Sequence, residues 1–158
     1  MMMKAATMRV TRRQALGLGA GATAVVIAGP TVGPAVAKGQ SAEDAIKAFT
    51  GGAETKTGKV SLSTPEIAEN GNTVPVSFDI ESPMTADDHV QSVLVVADGN
   101  PRPGVATFHF SEMSGEASAS TRIRLAKTQN VIAVAKMSDG SFFMDKRLVK
   151  VTIGGCGG

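Results

Sequence analysis

Cys156 is the chain's one cysteine, and it stands in "VTIGGCGG" with two glycines on either side. A thiol can act as a nucleophile, a metal ligand or half of a disulfide, and the setting bears on each possibility. An intramolecular disulfide is excluded, and His89 and His109, the only two histidines, are too few for a four-ligand zinc site. A buried structural cysteine wants packing neighbours, which glycines do not supply. Gly154, Gly155, Gly157 and Gly158 lack Cβ atoms and admit both signs of φ, so these residues are expected to form a flexible arm. Extended at about 3.3–3.6 Å per residue, it would let the sulfur swing on the order of 10 Å from Ile153. The arm's cross-section, close to that of bare backbone, suits entry into a narrow channel of another protein.

Nothing beside Cys156 activates it. Lys150 lies six residues back, and the terminal carboxylate, two residues away, disfavours a second negative charge. From an ordinary thiol pKa of about 8.5, only about a few per cent is thiolate at neutral pH. The expectation is therefore a carrier and not an enzyme, with no catalytic residue and no cofactor or metal of its own. An incidental exposed cysteine and an inter-chain disulfide anchor remain open as alternatives.

The elements that must position this arm begin after residue 37. Residues 1–37 read as an export signal of twin-arginine type: Lys4, Arg9, Arg12 and Arg13 without an acid, an apolar stretch over 15–28, and a small-x-small site at Ala35-Val36-Ala37. Arg12-Arg13 is the paired-arginine element, with Ala15 standing where that motif usually has an aromatic residue. The apolar stretch is shorter than the ~20 residues a membrane span needs. Export implies a periplasmic protein, with no membrane segment in the mature form. Removing the leader leaves 12 of the 16 basic residues against all 14 acidic ones, a net charge of about −2. With no basic stripe, tryptophan or tyrosine, nucleic-acid binding is not expected.

Residues 38–153 fit one domain. Apolar residues at 42, 45, 46 and 49 share a helical face, with Ser41 as N-cap and Gly51-Gly52 as stop. Alternation predicts strands over 59–63, 74–80 and 121–125, and further strands are expected over 105–110, 131–137, 142–144 and 147–153. Residues 90–97 are more continuously apolar, which predicts a strand covered on both faces by a second sheet or a partner. Turn signals at Asn70-Gly71-Asn72, Asp98-Gly99-Asn100-Pro101, Ser114-Gly115 and Asp139-Gly140-Ser141 separate them. The fold class is all-β: an immunoglobulin-like antiparallel β-sandwich with a short N-terminal helix and a flexible glycine arm over 154–158. His109, between Phe108 and Phe110, is read as a solvent-facing strand residue, His89 as part of a polar loop, and Arg122-Ile123-Arg124 as a solvated strand face.

The terminal "GGCGG", together with "STRIRLAKTQNVIAVAKMSDGSFFMDKRLVKVTIGGCGG", "ADGNPRPGVATFHF" and the leader, resembles the SoxY family, sulfur-substrate carriers of the periplasmic thiosulfate-oxidising Sox system. The resemblance implies that Cys156 is a covalent attachment site on which thiosulfate becomes a cysteine S-thiosulfonate. It implies a heterodimer with SoxZ and transient contacts with a c-type haem coupling enzyme (SoxAX), a thiosulfohydrolase (SoxB) and a sulfane dehydrogenase (SoxCD). Residues 90–97 are expected to help form the heterodimer interface. Two other classes compete: a ubiquitin-like sulfur carrier acting through a terminal Gly-Gly carboxylate, and an immunoglobulin-like structural module.

Overall fold

The computed structural model describes residues 40–155. Helix α1 (Ala42–Thr50) opens the described chain, and its ends follow from local chemistry. Ser41 Oγ accepts from the Asp44 amide at 3.0 Å, and Asp44 Oδ2 accepts from the Ser41 amide at 3.1 Å, so two of the helix's orphan donors are satisfied reciprocally. Gly51 closes it in the left-handed region at φ 65°, where a Cβ would be costly. Ser41→Ala is expected to lower stability by about 1 kcal/mol, read by urea denaturation.

Nine strands follow: β1 (Thr55–Lys56), β2 (Val60–Ser63), β3 (Ile67–Asn70), β4 (Val74–Ile80), β5 (Val90–Ala97), β6 (Gly104–His109), β7 (Ala117–Ile123), β8 (Gln129–Met137) and β9 (Phe142–Ile153). They form the two layers of an immunoglobulin-like sandwich. The larger sheet runs β1-β9-β8-β5-β6, with β3 also paired to β9, and the smaller runs β2-β4-β7. Between them lies the main core, with Val74, Val76 and Phe78 of β4 facing Val93 and Val95 of β5 and Val131, Ala133 and Ala135 of β8. Phe78 meets Phe108 edge-on at 5.1 Å and Phe110 at 6.3 Å, geometry worth about 0.5–1.5 kcal/mol per pair beyond the buried area. The pairing is antiparallel except at β1 and β3, which run parallel to β9. Both are short, and neither shows the alternation by which the other strands are read from sequence.

Strand β5 carries a correction. Val93 and Val95 are 0% exposed in the inter-sheet core. The other face, Leu94 and Val96, packs with Ile132, Val134 and Phe142 under Ala45, Ile46 and Phe49 of α1. Since β8 and β6 pair with its two edges, β5 has neither a free face nor a free edge for a partner. Its apolar run is therefore explained by the second sheet and the helix, and the expected role of residues 90–97 in a subunit interface is withdrawn.

Residues 142–153 also form one strand where two are expected. The polar interruption has a structural use. Asp145 Oδ2 accepts from the Leu62 amide at 3.0 Å, and Arg147 Nε donates to the Leu62 carbonyl at 3.2 Å, while Arg147 and Asp145 pair at 3.1 Å. Two side chains thus occupy both backbone groups of Leu62 on β2, the strand at one edge of the smaller sheet. Strand β7 starts earlier than expected and stops at Ile123, which leaves Leu125, fully buried, in the following loop.

Candidate functional site

Arg12 and Arg13 of the expected signal, and Cys156, Gly157 and Gly158 of the expected arm, lie outside the described residues. What the structure positions is the route to Cys156 along β9, Gly154 and Gly155.

That route is held by backbone contacts at one end of the sandwich. Asn70 Oδ1 accepts from the Asn72 amide at 2.9 Å, which shapes the β3–β4 turn around the buried Gly71. The Gly71 amide donates to the Ile153 carbonyl at 2.7 Å, and its own carbonyl accepts from the Leu125 amide at 2.7 Å. The Leu125 carbonyl in turn accepts from the Gly155 amide at 2.9 Å. Three segments far apart in sequence therefore meet through main-chain atoms. Close approach is what demands glycine here. A Cβ at Gly71 would fall on the Leu125 carbonyl oxygen and lie 2.7 Å from the Gly155 nitrogen. At Gly154 it would strike the Ala126 carbonyl oxygen, and at Gly155 it would lie 2.7 Å from the Gly71 oxygen. Gly154 is exposed, whereas Gly155, the next residue of the expected arm, is buried with its amide hydrogen-bonded.

The loop that receives Gly155 is itself braced. Asn100, in the β5–β6 turn, donates from Nδ2 to the Arg124 carbonyl at 2.8 Å. Its Oδ1 accepts from the Ala126 amide at 3.0 Å and from Gln129 Nε2 at 2.8 Å. Gln129 also donates to the Lys127 carbonyl at 3.1 Å and accepts the Gly99 amide on Oε1 at 2.6 Å. Asn100 and Gln129 are only 9% and 4% exposed, yet each finds its partners, as buried amides must. Thr128 Oγ1 accepts the Val151 amide at 2.9 Å, tying the same loop to β9.

Other residues singled out from the sequence lie apart from this junction. His109 is exposed on β6, as expected, and Arg122 and Arg124 are solvent-facing on either side of buried Ile123. His89 is held in its loop by Thr85, whose carbonyl lies 3.0 Å from Nδ1, and by Ser138, whose Oγ accepts its amide at 3.1 Å. Among the described residues no three His, Cys, Asp or Glu side chains gather to hold a metal ion, and no helix is long and apolar enough to cross a membrane. Gly71, Asn100, Leu125 and Gln129 carry no chemistry of their own. Sequence reasoning registers Gly71 and Asn100 only as turn signals and passes over Gln129.

Comparison with known proteins gives this junction its context. The family model described as "Sulfur oxidation protein SoxY" matches residues 46–156, from α1 through Cys156. Among solved structures the chain is similar to the sulfur carrier protein SoxY from Chlorobium limicola f thiosulfatophilum, at 33% identity and a TM-score of 0.59, covering 70% of this chain and 96% of that one. It is also similar to a superoxide reductase (neelaredoxin) from Ignicoccus hospitalis, at 16% identity and a TM-score of 0.54, covering 70% and 93%. A putative superoxide reductase from Thermotoga maritima matches at 17% identity and a TM-score of 0.53, covering 61% and 93%. These last two likenesses show a shared sandwich and nothing of its chemistry. No curated protein matches. With the family match running through both sheets, the braced loop and the cysteine, this chain belongs to the SoxY family of sulfur oxidation proteins.

Proposed function

We propose that this protein is a covalent carrier of sulfur intermediates in thiosulfate oxidation, with Cys156 as the attachment site. Its carrier role in sulfur oxidation follows from the family; the covalent role of Cys156 is the further step. The observation that carries it is the family match extending through Cys156, the one thiol available. Coupling the Cys156 thiol to thiosulfate forms a sulfur–sulfur bond and releases a proton and an electron pair, which a c-type haem enzyme such as SoxAX would accept. Hydrolysis of the resulting S-thiosulfonate by a thiosulfohydrolase (SoxB) adds water across the outer sulfur–sulfur bond, giving sulfate, a proton and a cysteine persulfide. A sulfane dehydrogenase (SoxCD) would oxidise the remaining sulfane, and a second hydrolysis would regenerate the thiol.

Because those steps belong to partners, the chain needs no resident cofactor, and its own contribution is to present one sulfur. SoxZ is the proposed heterodimer partner, and the periplasm, reached through the signal over 1–37, the proposed compartment. That compartment suits the chemistry, because an unpaired thiol persists there only if it is shielded or in use.

Mass spectrometry of the C-terminal peptide from thiosulfate-grown cells tests this reading. Sulfur adducts on Cys156 that thiol reductant removes are expected, with none in Cys156→Ala. A modification that survives both the reductant and Cys156→Ala would instead point to a terminal thiocarboxylate and overturn the proposal.

A further inference from the structure

We infer that Gly71 and the braced 124–128 loop act as a pivot clamp for the carrier segment, so that the leash of Cys156 starts at Gly155 and not at the end of β9. The inference rests on the reading of Cys156 as the attachment site and adds positioning residues to it. Gly155 is buried and its amide is held by the Leu125 carbonyl at 2.9 Å, while Gly71 holds Ile153 just before it at 2.7 Å. Gly71 is not in the left-handed region, so its backbone would accept a side chain; the obstacle is space, filled by the Leu125 oxygen, the Gly155 nitrogen and Val151 Cγ1. Asn100 grips both Arg124 and Ala126, on either side of Leu125, and so fixes where the Leu125 carbonyl points.

With Gly155 held, the tether to the next residue is one peptide unit, about 3.8 Å, against the roughly 10 Å spanned by an arm free from Ile153. A shorter tether raises the effective concentration of the group it carries at a docked partner's pocket. It also means that a partner must approach the end of the sandwich formed by the β3–β4 turn and the β7–β8 loop, where Gly155 is held.

The test uses Gly71→Ala and Gly155→Ala in the full mature chain. The second probes the same contact from a residue outside the sheets, where folding is least at stake. In the wild type the Gly155 amide is expected to exchange slowly by NMR. In both variants the amide at 155 should exchange at the rate of a free peptide; in Gly71→Ala the amides of residues 71 and 125, which share the junction, should also exchange faster, and amides of the sheets away from it should be unchanged. Thiosulfate turnover with the partner enzymes, measured against carrier concentration, should show KM for the carrier raised on the order of tenfold with kcat little altered. Alkylation of Cys156 by iodoacetamide should not slow, since a small reagent needs no docking.

Free exchange at Gly155 in the wild type would overturn the clamp, as would protection that persists in Gly71→Ala. Unprotected variants that keep the wild-type KM would overturn its role in presentation. If Gly71→Ala fails to fold, Gly155→Ala alone decides. Failure of the carrier reading is separable: full turnover in Cys156→Ala would remove that reading, while amide protection would still report whether the pivot exists.

Discussion

Cys156→Ala is expected to abolish thiosulfate-dependent electron release by the reconstituted system and growth on thiosulfate, while leaving the fold and its thermal midpoint unchanged. Alanine removes the only sulfur that can form the bond to thiosulfate, and no second cysteine offers a bypass. Cys156→Ser should fail equally, because at neutral pH a serine hydroxyl neither ionises nor forms a sulfur–sulfur bond. The separation of effects carries the claim: a structural cysteine would lower stability when truncated, whereas a carrier cysteine should cost turnover and nothing else. Wild-type rates in Cys156→Ala would end the carrier reading. On non-reducing electrophoresis of protein held in air, the wild type should give disulfide-linked dimers that both variants lack.

Asn100→Ala is expected to destabilise the domain by about 2–4 kcal/mol, because one truncation leaves the Arg124 carbonyl, the Ala126 amide and Gln129 Nε2 without their partner in a site with little room for water. For a domain of this size that corresponds to a fall in thermal midpoint of roughly 10 °C. Asn100→Asp separates the halves of the network. It keeps an acceptor for Ala126 and Gln129 but sets a carboxylate against the Arg124 carbonyl, so it too should destabilise, and its deficit should shrink as the carboxyl is protonated on acidification. Urea denaturation measures both. A loss under about 0.5 kcal/mol in Asn100→Ala, the range of ordinary surface changes, would show that the brace holds nothing.

Much of this architecture is legible locally. The cap at Ser41 and the stop at Gly51 are signalled within a few residues of where they act, and the alternation over 74–80 predicts β4 residue for residue, because a strand with one buried face must alternate. Strand β5 shows the limit of that logic: its continuous apolar run says that both faces are covered but cannot say by what, and only the packed structure assigns one face to the smaller sheet and the other to α1. The short parallel strands β1 and β3 escape prediction for a related reason, since their pairing with β9 depends on where that distant strand runs.

The candidate site divides along the same line. A lone thiol among glycines is a statement about residue type, readable without a fold, so the atom proposed to carry chemistry can be named before any strand is placed. Where its tether begins depends on packing between segments far apart in the chain. The groups that hold Gly155 are the main-chain N–H and C=O of Gly71 and Leu125, which every residue but proline possesses, so no side-chain signal marks them. Met in sequence, Gly154 and Gly155 read as freedom and Gly71 as a turn signal; in the folded chain they are the spaces through which three backbones come into contact.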